Sequence, residues 1–145
     1  MRLIFAVAAV VFGFVSAPMP ASAQWFVGPG SELLPDTPSA VGPSQDESTV
    51  IAVTCLSGNT PIFILEMPTD DGPPDGEVVL AIDGRPYAVE ARREDTLWIG
   101  TVSPRLVADL AAGIRLAAVA PGKPEVIISL RGSARAIGEV LTGCG

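Results

Sequence analysis

Apolar residues along the chain follow two different periods, one typical of strands and the other of helices. Between Thr49 and Leu130, short runs rich in Val, Ile and Leu stand between turns of Gly, Pro, Asn and Asp, as in β-rich domains. These runs predict seven strands, at residues 50–56, 62–67, 78–82, 86–92, 97–102, 114–120 and 126–130. Asp83-Gly84 indicates a tight hairpin, because both residue types accept positive φ.

The period changes to that of a helix in two places. After the fifth strand, Ser103 is a good N-cap and Pro104 suits the first helical position, and an apolar face follows until Gly113. A second helix begins near Ser133, with its apolar positions spaced i, i+3, i+4, i+7 as far as Cys144. We therefore expect an α+β domain over residues 49–145. It is a mostly antiparallel sheet or small sandwich with two short helices on one side.

The first 23 residues have the three parts of a secretory signal peptide. Arg2 supplies the positive start, and the apolar run from Leu3 to Val15 is shorter than the roughly 20 residues that a membrane-spanning helix needs. Small residues follow at Ala21-Ser22-Ala23, where a signal peptidase would cut. The pattern predicts cleavage after Ala23 and a periplasmic or secreted protein. The alternative is an uncleaved membrane anchor.

Residues 24–48 are rich in Pro, Gly, Ser and Asp, which predicts a linker or a loosely docked arm. Trp25 and Phe26 are large apolar residues within it. They are expected to pack on the protein's own body or to contact a partner.

The two cysteines, Cys55 and Cys144, are an even number in a chain with an export signal, which favours a disulfide. By the strand and helix periods, Cys55 shares a face with Ile51 and Val53, and Cys144 ends the apolar face of the last helix. Both would point at the core. In the chain-entropy model such a bond stabilises the fold by about 4.5 kcal/mol.

Charge and composition narrow the classes of function. Without Arg2 the mature chain keeps eight basic and sixteen acidic residues, a formal charge of −8 that disfavours binding to nucleic acid and to anionic membranes. The chain has no histidine, which excludes Ser-His-Asp and Cys-His hydrolases. An enzyme would instead need a concave site with perturbed carboxylates, for which the candidates are Asp83, Glu90 and Asp95. We expect a non-catalytic protein without a cofactor.

Acidic residues concentrate before the third predicted strand, at Asp70, Asp71, Asp75 and Glu77. Such a group can bind calcium, but its spacing differs from an EF-hand and Pro73 and Pro74 interrupt it. We expect a solvated acidic turn and no metal.

Possible partner contacts are Trp98, Arg92, Arg93 and Trp25, because Trp and Arg are typical anchors of protein interfaces. If Leu97 and Ile99 face the core, Trp98 points outward near one of the two arginines. The alternative is that a helix covers Trp98.

Three short motifs stand at the ends of predicted elements: Val53-Thr54-Cys55, Ile128-Ser129-Leu130-Arg131-Gly132-Ser133, and Leu141-Thr142-Gly143-Cys144. With them, the chain resembles a class of small bacterial envelope proteins. The periplasmic accessory protein of type VI secretion systems is similar in the order of its elements and in an Ile-Asp pair like Ile82-Asp83. The resemblance implies a periplasmic, disulfide-bonded, non-catalytic domain. Our first hypothesis is an accessory module that binds an envelope protein. The second, from the charge, is an inhibitor of a cationic hydrolase such as lysozyme.

Mass spectrometry of the protein exported to the periplasm tests the export signal and the disulfide together. The chain should begin at Gln24 and should gain two hydrogens on reduction, since the periplasm is oxidising. The control is the same chain made in the cytoplasm without residues 1–23, which should keep free thiols. An exported chain whose mass does not change on reduction would contradict the predicted compartment and the predicted faces of the two cysteines.

Overall fold

A computed structural model describes residues 24–29, 37–56 and 60–144. In these ranges all the strands are antiparallel and belong to one nine-stranded sheet, in the order β1-β2-β3-β4-β7-β6-β5-β8-β9. The strands are β1 (Phe26–Pro29), β2 (Pro38–Pro43), β3 (Val50–Leu56), β4 (Thr60–Glu66), β5 (Asp75–Ile82), β6 (Arg85–Glu94), β7 (Leu97–Thr101), β8 (Arg115–Val119) and β9 (Val126–Ser129).

Two helices complete the described residues: α1 (Pro104–Ala112) after β7 and α2 (Ser133–Thr142) after β9. They pack on each other, and the Ser133 hydroxyl donates a hydrogen bond to the Leu110 carbonyl at 2.7 Å. Both helices add side chains to the same large core. Within the described ranges neither helix is long and apolar enough to cross a membrane.

The sheet curves until its last strand meets the end of β2. Ser44 forms an isolated bridge with Ile128 of β9, and the N–H of Gln45 donates to the Ile127 carbonyl at 3.2 Å. The inward faces of the strands therefore surround one core with the two helices. Its largest fully buried side chains include Trp98, Phe63, Leu80, Leu106, Leu116, Ile128 and Ile137.

The hairpin turn and the helix start that short sequence patterns predict are both present in the structure. Asp83 and Gly84 have φ of 50° and 84° and join β5 to β6. The hydroxyl oxygen of Ser103 accepts the N–H of Leu106 at 3.1 Å and caps α1. Short-range hydrogen bonding therefore determines where these elements turn and begin.

All seven predicted strands and both predicted helices are present, but the prediction for residues 24–48 was wrong. This segment contains β1 and β2, which extend the sheet by two strands. Both strands are short and contain Gly and Pro, so they lack the β-branched runs that signal a strand. β2 forms because it pairs with β3 and because Ser39 and Ala40 are fully buried there. The proposed signal peptide, residues 1–23, lies outside the described residues.

Trp25 fastens the start of the described chain to the last strand of the sheet. It is 4% exposed, its backbone N–H donates to the Arg131 carbonyl at 3.0 Å, and its indole N–H donates to the Ser129 carbonyl at 2.8 Å. The indole ring covers Gly42 of β2, where an added Cβ would lie 2.3 Å from the ring. Only glycine at this position lets the ring approach β2 so closely.

The predicted disulfide is confirmed. Cys55, near the end of β3, is bonded to Cys144 after α2, and the two Cα atoms are 5.8 Å apart. Both cysteines are partly buried, so the bond lies at the margin of the core and not inside it. It joins the third strand to the end of the last helix.

Replacing Trp25 tests whether the N-terminal strands belong to the folded body. Trp25→Ala should lower the free energy of unfolding by about 3–5 kcal/mol, because it empties a buried site. Trp25→Phe should cost less, with a hydrogen-bond contribution of about 1 kcal/mol from the lost indole N–H. The matched control is Phe26→Ala, since Phe26 is 50% exposed. Urea unfolding that gives equal midpoints for all three variants would show that residues 24–29 are a loosely docked arm after all.

Candidate functional site

The expectation that Trp98 points outward was wrong. Trp98 is 2% exposed and belongs to the large core, opposite Leu65 of β4 and Arg93 of β6. Residues alternate along β7 as expected, but in the opposite sense, so that Leu97 and Ile99 are on the outer face. The run Leu-Trp-Ile is apolar at every position, so its pattern could not distinguish the two faces.

Trp25 and Arg93 are also engaged within the protein. The Trp25 ring is buried against Gly42, as described above. The guanidinium of Arg93 donates to four backbone carbonyls of the neighbouring acidic loop and the β6–β7 turn: Asp70 at 2.5 Å, Asp95 at 2.9 Å, and Gly72 and Pro73 at 3.0 Å each. Arg93 therefore holds this loop in place.

Arg92 is the predicted contact that remains accessible. Its side chain is 69% exposed on the outer face of β6 and forms an ion pair with Glu94 at 2.9 Å. Exposed ion pairs of this kind contribute only about 0–1 kcal/mol. A partner carboxylate could therefore replace Glu94 at little cost.

Arg92 lies on the margin of a shallow depression of about 530 Å³ on the outer face of β4, β7 and β6, which we call the outer groove. It is lined by Ile62, Asp75, Glu90, Ala91, Arg92, Ile99, Gly100 and Thr101. Ile62 and Ile99 supply its large apolar side chains, whereas Asp75, Glu90 and Arg92 carry charge. An apolar centre with a polar rim is the usual composition of a protein interface.

The outer face beside this groove is unusually apolar. A second hydrophobic cluster, separate from the large core, contains Val41, Ala52, Ile62, Ile64 and Leu97, with Val50 and Ile99 packed against it. One row across the sheet runs from Val41 through Ala52, Ile64 and Ile99 to Arg92. The five residues of this cluster are only 0–6% exposed, so this part of the outer face is a second buried core and not a solvated surface. This row becomes polar only where it reaches the groove.

A second cleft, of about 490 Å³, lies between the β2–β3 turn, the end of β4 and the β8–β9 turn. The basic residue in the lining of this cleft is Lys123, the only lysine of the chain. Lys123 Nζ donates to Thr69 Oγ1 at 2.7 Å and forms an ion pair with the Asp71 carboxylate. Two hydrogen bonds lower the pKa of the Asp71 carboxyl to about 2, and the bond from Lys123 has a larger effect than the bond from Thr69.

Asp46, on the other wall of this cleft, is held in a similar way. Its carboxylate accepts the hydroxyls of Ser44 at 2.7 Å and Ser48 at 2.8 Å, and these bonds lower its pKa to about 2. Both carboxylates therefore stay ionised at neutral pH. A general acid needs the opposite shift, so neither residue is prepared for that role.

The acidic residues predicted to form one turn serve different purposes, and Asp75 and Glu77 lie within β5 and not in the loop before it. Asp71 pairs with Lys123, the Asp70 carbonyl accepts a hydrogen bond from Arg93, and Asp75 lines the outer groove. Within the described ranges no group of three or more His, Cys, Asp or Glu side chains is placed to hold a metal ion. Asp83, one of the three candidate carboxylates, accepts the N–H groups of Ile114 and Arg115 and thereby stabilises the start of β8.

Comparison with known proteins identifies a similar fold. No protein-family model and no curated protein matches the sequence. Among solved structures, the crystal structure of invasion associated protein B from Bartonella henselae is similar, with a TM-score of 0.59 and 16% sequence identity. The match covers 83% of this chain and 93% of that protein. At this identity the likeness establishes a shared fold, which spans most of both chains.

Proposed function

We propose that this chain is a non-catalytic accessory protein of the bacterial cell envelope that binds a protein partner in the outer groove. The observation that carries the proposal is the groove itself, in which the partly exposed Ile99 lies beside the exposed Arg92 and Thr101. A partner that covers Ile99 would remove its remaining apolar surface from water at roughly 25 cal/mol per Å², whereas Ile62 is already buried at 6% exposure. The disulfide, which suits an oxidising compartment, and the fold shared with a protein named for its association with invasion support an envelope role.

The charges around the groove specify the chemistry of the partner. Asp75, Glu90 and Glu94 outnumber Arg92 there, and the mature chain as a whole is acidic. A complementary partner presents an apolar side chain flanked by basic residues, with a carboxylate in reach of Arg92. The overall negative charge of this protein would accelerate the encounter with a basic partner.

The same acidic rim favours the second candidate function, an inhibitor of a cationic hydrolase such as lysozyme. In this case Asp75, Glu90 and Glu94 would attract the enzyme's basic surface. A cell-wall lysis assay separates the two functions: an inhibitor slows lysis in proportion to its concentration, whereas an accessory protein leaves lysis unchanged. Repeating the assay at high salt shows whether any inhibition is electrostatic.

Site-specific crosslinking in the native periplasm tests the proposed use of the groove. A photoreactive residue at position 101, which is exposed and lines the groove, should capture a defined partner. The same residue at position 108, exposed on α1, should not capture it.

A charge-reversing substitution in the groove tests the contribution of Arg92 to partner capture. In a chain with the crosslinker at position 101, Arg92→Glu should reduce capture about tenfold, which corresponds to roughly 1.4 kcal/mol. Arg105→Glu, the same charge change at an exposed site on α1, is the matched control and should leave capture unchanged. Equal capture by these two variants, or equal capture from positions 101 and 108, would show that the groove is not the binding site.

A further inference from the structure

We propose that the protein partner adds an extended segment to the open edge of β6, as an extra strand beside Ala88. This inference rests on the proposed function, because it states how the partner of the outer groove docks. β6 has ten residues, and β5 pairs with it from Arg85 to Arg92. β7 has only five residues and pairs with Ala91–Glu94. Within the described ranges, residues 85–90 are therefore paired on one side only.

The backbone of Ala88 points to the unpaired side of β6. Successive residues of a strand direct their N–H and C=O groups to opposite sides. The N–H of Arg93 donates to the Pro74 carbonyl at 2.8 Å, so the odd-numbered residues of β6 bond toward β5. The even-numbered residues face β7, as the Glu90 carbonyl shows by lying 2.9 Å from the position of a Cβ on Gly100. Ala88 lies beyond the end of this pairing, and no strand of the described residues is opposite its N–H and C=O groups.

A depression of about 360 Å³, which we call the edge cleft, occupies the space beside residues 87–90 of β6. β7 ends at Thr101, and the chain then turns away from β6, since the N–H of Val102 donates to the Pro61 carbonyl of β4 at 3.1 Å. The opposite wall of the cleft is α1, which the Tyr87 hydroxyl holds through a hydrogen bond to the Asp109 carboxylate. An added segment would therefore enter a space between two elements that are already fixed.

The two sides of the edge cleft specify the side chains of the added strand. Val89 and Leu106 line its inner side, and Val89 packs against the core while it remains partly exposed. Glu90 is the charged residue of the lining, and both Glu90 and Thr101 are exposed and also line the outer groove. Since side chains alternate along a strand, the matching segment alternates apolar residues, which cover Val89, with basic residues beside Glu90. The two shared residues make the cleft continuous with the groove, so one partner can occupy both.

A synthetic peptide of alternating valine and lysine, about six residues long like a typical strand, tests strand addition directly. The peptide is acetylated and amidated, and it is added to the isotope-labelled protein purified from the periplasm. It should shift the NMR signals of the Ala88 and Glu90 amides and slow the hydrogen exchange of the Ala88 amide. The same peptide with methylated backbone nitrogens keeps its side chains but cannot donate to the Ala88 carbonyl. It should therefore bind about tenfold more weakly.

Two substitutions at position 88 test the same contact from the side of this protein. Ala88→Pro removes the N–H that would donate to the added strand. Proline is accepted on a strand where the N–H has no partner, so this variant should fold, which urea unfolding checks. It should bind the peptide about tenfold more weakly than the wild type, whereas Ala88→Ser, which keeps the N–H, should bind it equally well. If Ala88→Pro does not fold, the methylated peptide decides the question.

The outcomes separate the added strand from the use of the outer groove. A wild type that does not bind the peptide, or binds the methylated peptide equally well, would overturn strand addition. Crosslinking from position 101 that is reduced by Arg92→Glu but not by Ala88→Pro would also overturn it and would leave the proposed function standing. Capture that is reduced by Ala88→Pro but not by Arg92→Glu would support the added strand and overturn the groove. A free protein that is dimeric, and becomes monomeric as Ala88→Pro, would show that a second copy occupies the edge instead of a partner.

Discussion

The contact of Trp25 with both sides of the curved sheet is the constraint on which the rest of the structure depends. Its ring covers Gly42 of β2, while its indole N–H reaches the Ser129 carbonyl at the end of β9. β1 and β2 begin the strand order and β9 ends it, so one side chain ties the two sides together. Since the core lies inside the curve, the closure made by Trp25 and the Ser44–Ile128 bridge keeps water away from it.

The parts of the fold that could be predicted are those determined by short-range chemistry. Asp83-Gly84 and Ser103 act within a few residues of themselves, so their patterns indicate a turn and a helix start without knowledge of the rest. β1 and β2 depend instead on long-range contacts, because Trp25 meets Ser129 across 104 positions of the chain. A Pro- and Gly-rich segment carries no local sign of such a contact, and this is why it resembled a linker.

In the candidate site, too, some features could be predicted from local sequence patterns and others depend on long-range contacts. Arg92 could be selected from its residue type and its place on an alternating strand, and it is on the outer groove. The isoleucines of the groove could not be identified, because β7 is apolar on both faces and β4 carries Phe63 and Leu65 inward with Ile62 and Ile64 outward. Which face is inside depends on how the whole sheet curves. The predicted direction of the Trp98 side chain was therefore wrong for the same reason that the sequence did not indicate the groove.

The closed fold also determines how much conformational entropy this protein would lose when a partner binds in the groove. α2 is fastened at its start by the Ser133–Leu110 hydrogen bond and after its end by the disulfide from Cys144 to Cys55. These fastenings and Trp25 lie toward β1–β3 and β9, whereas the groove is on β4, β7 and β6, in the middle of the sheet. A partner bound as proposed would cover Ile99 without opening any of them, so little conformational entropy of this protein would be lost on binding.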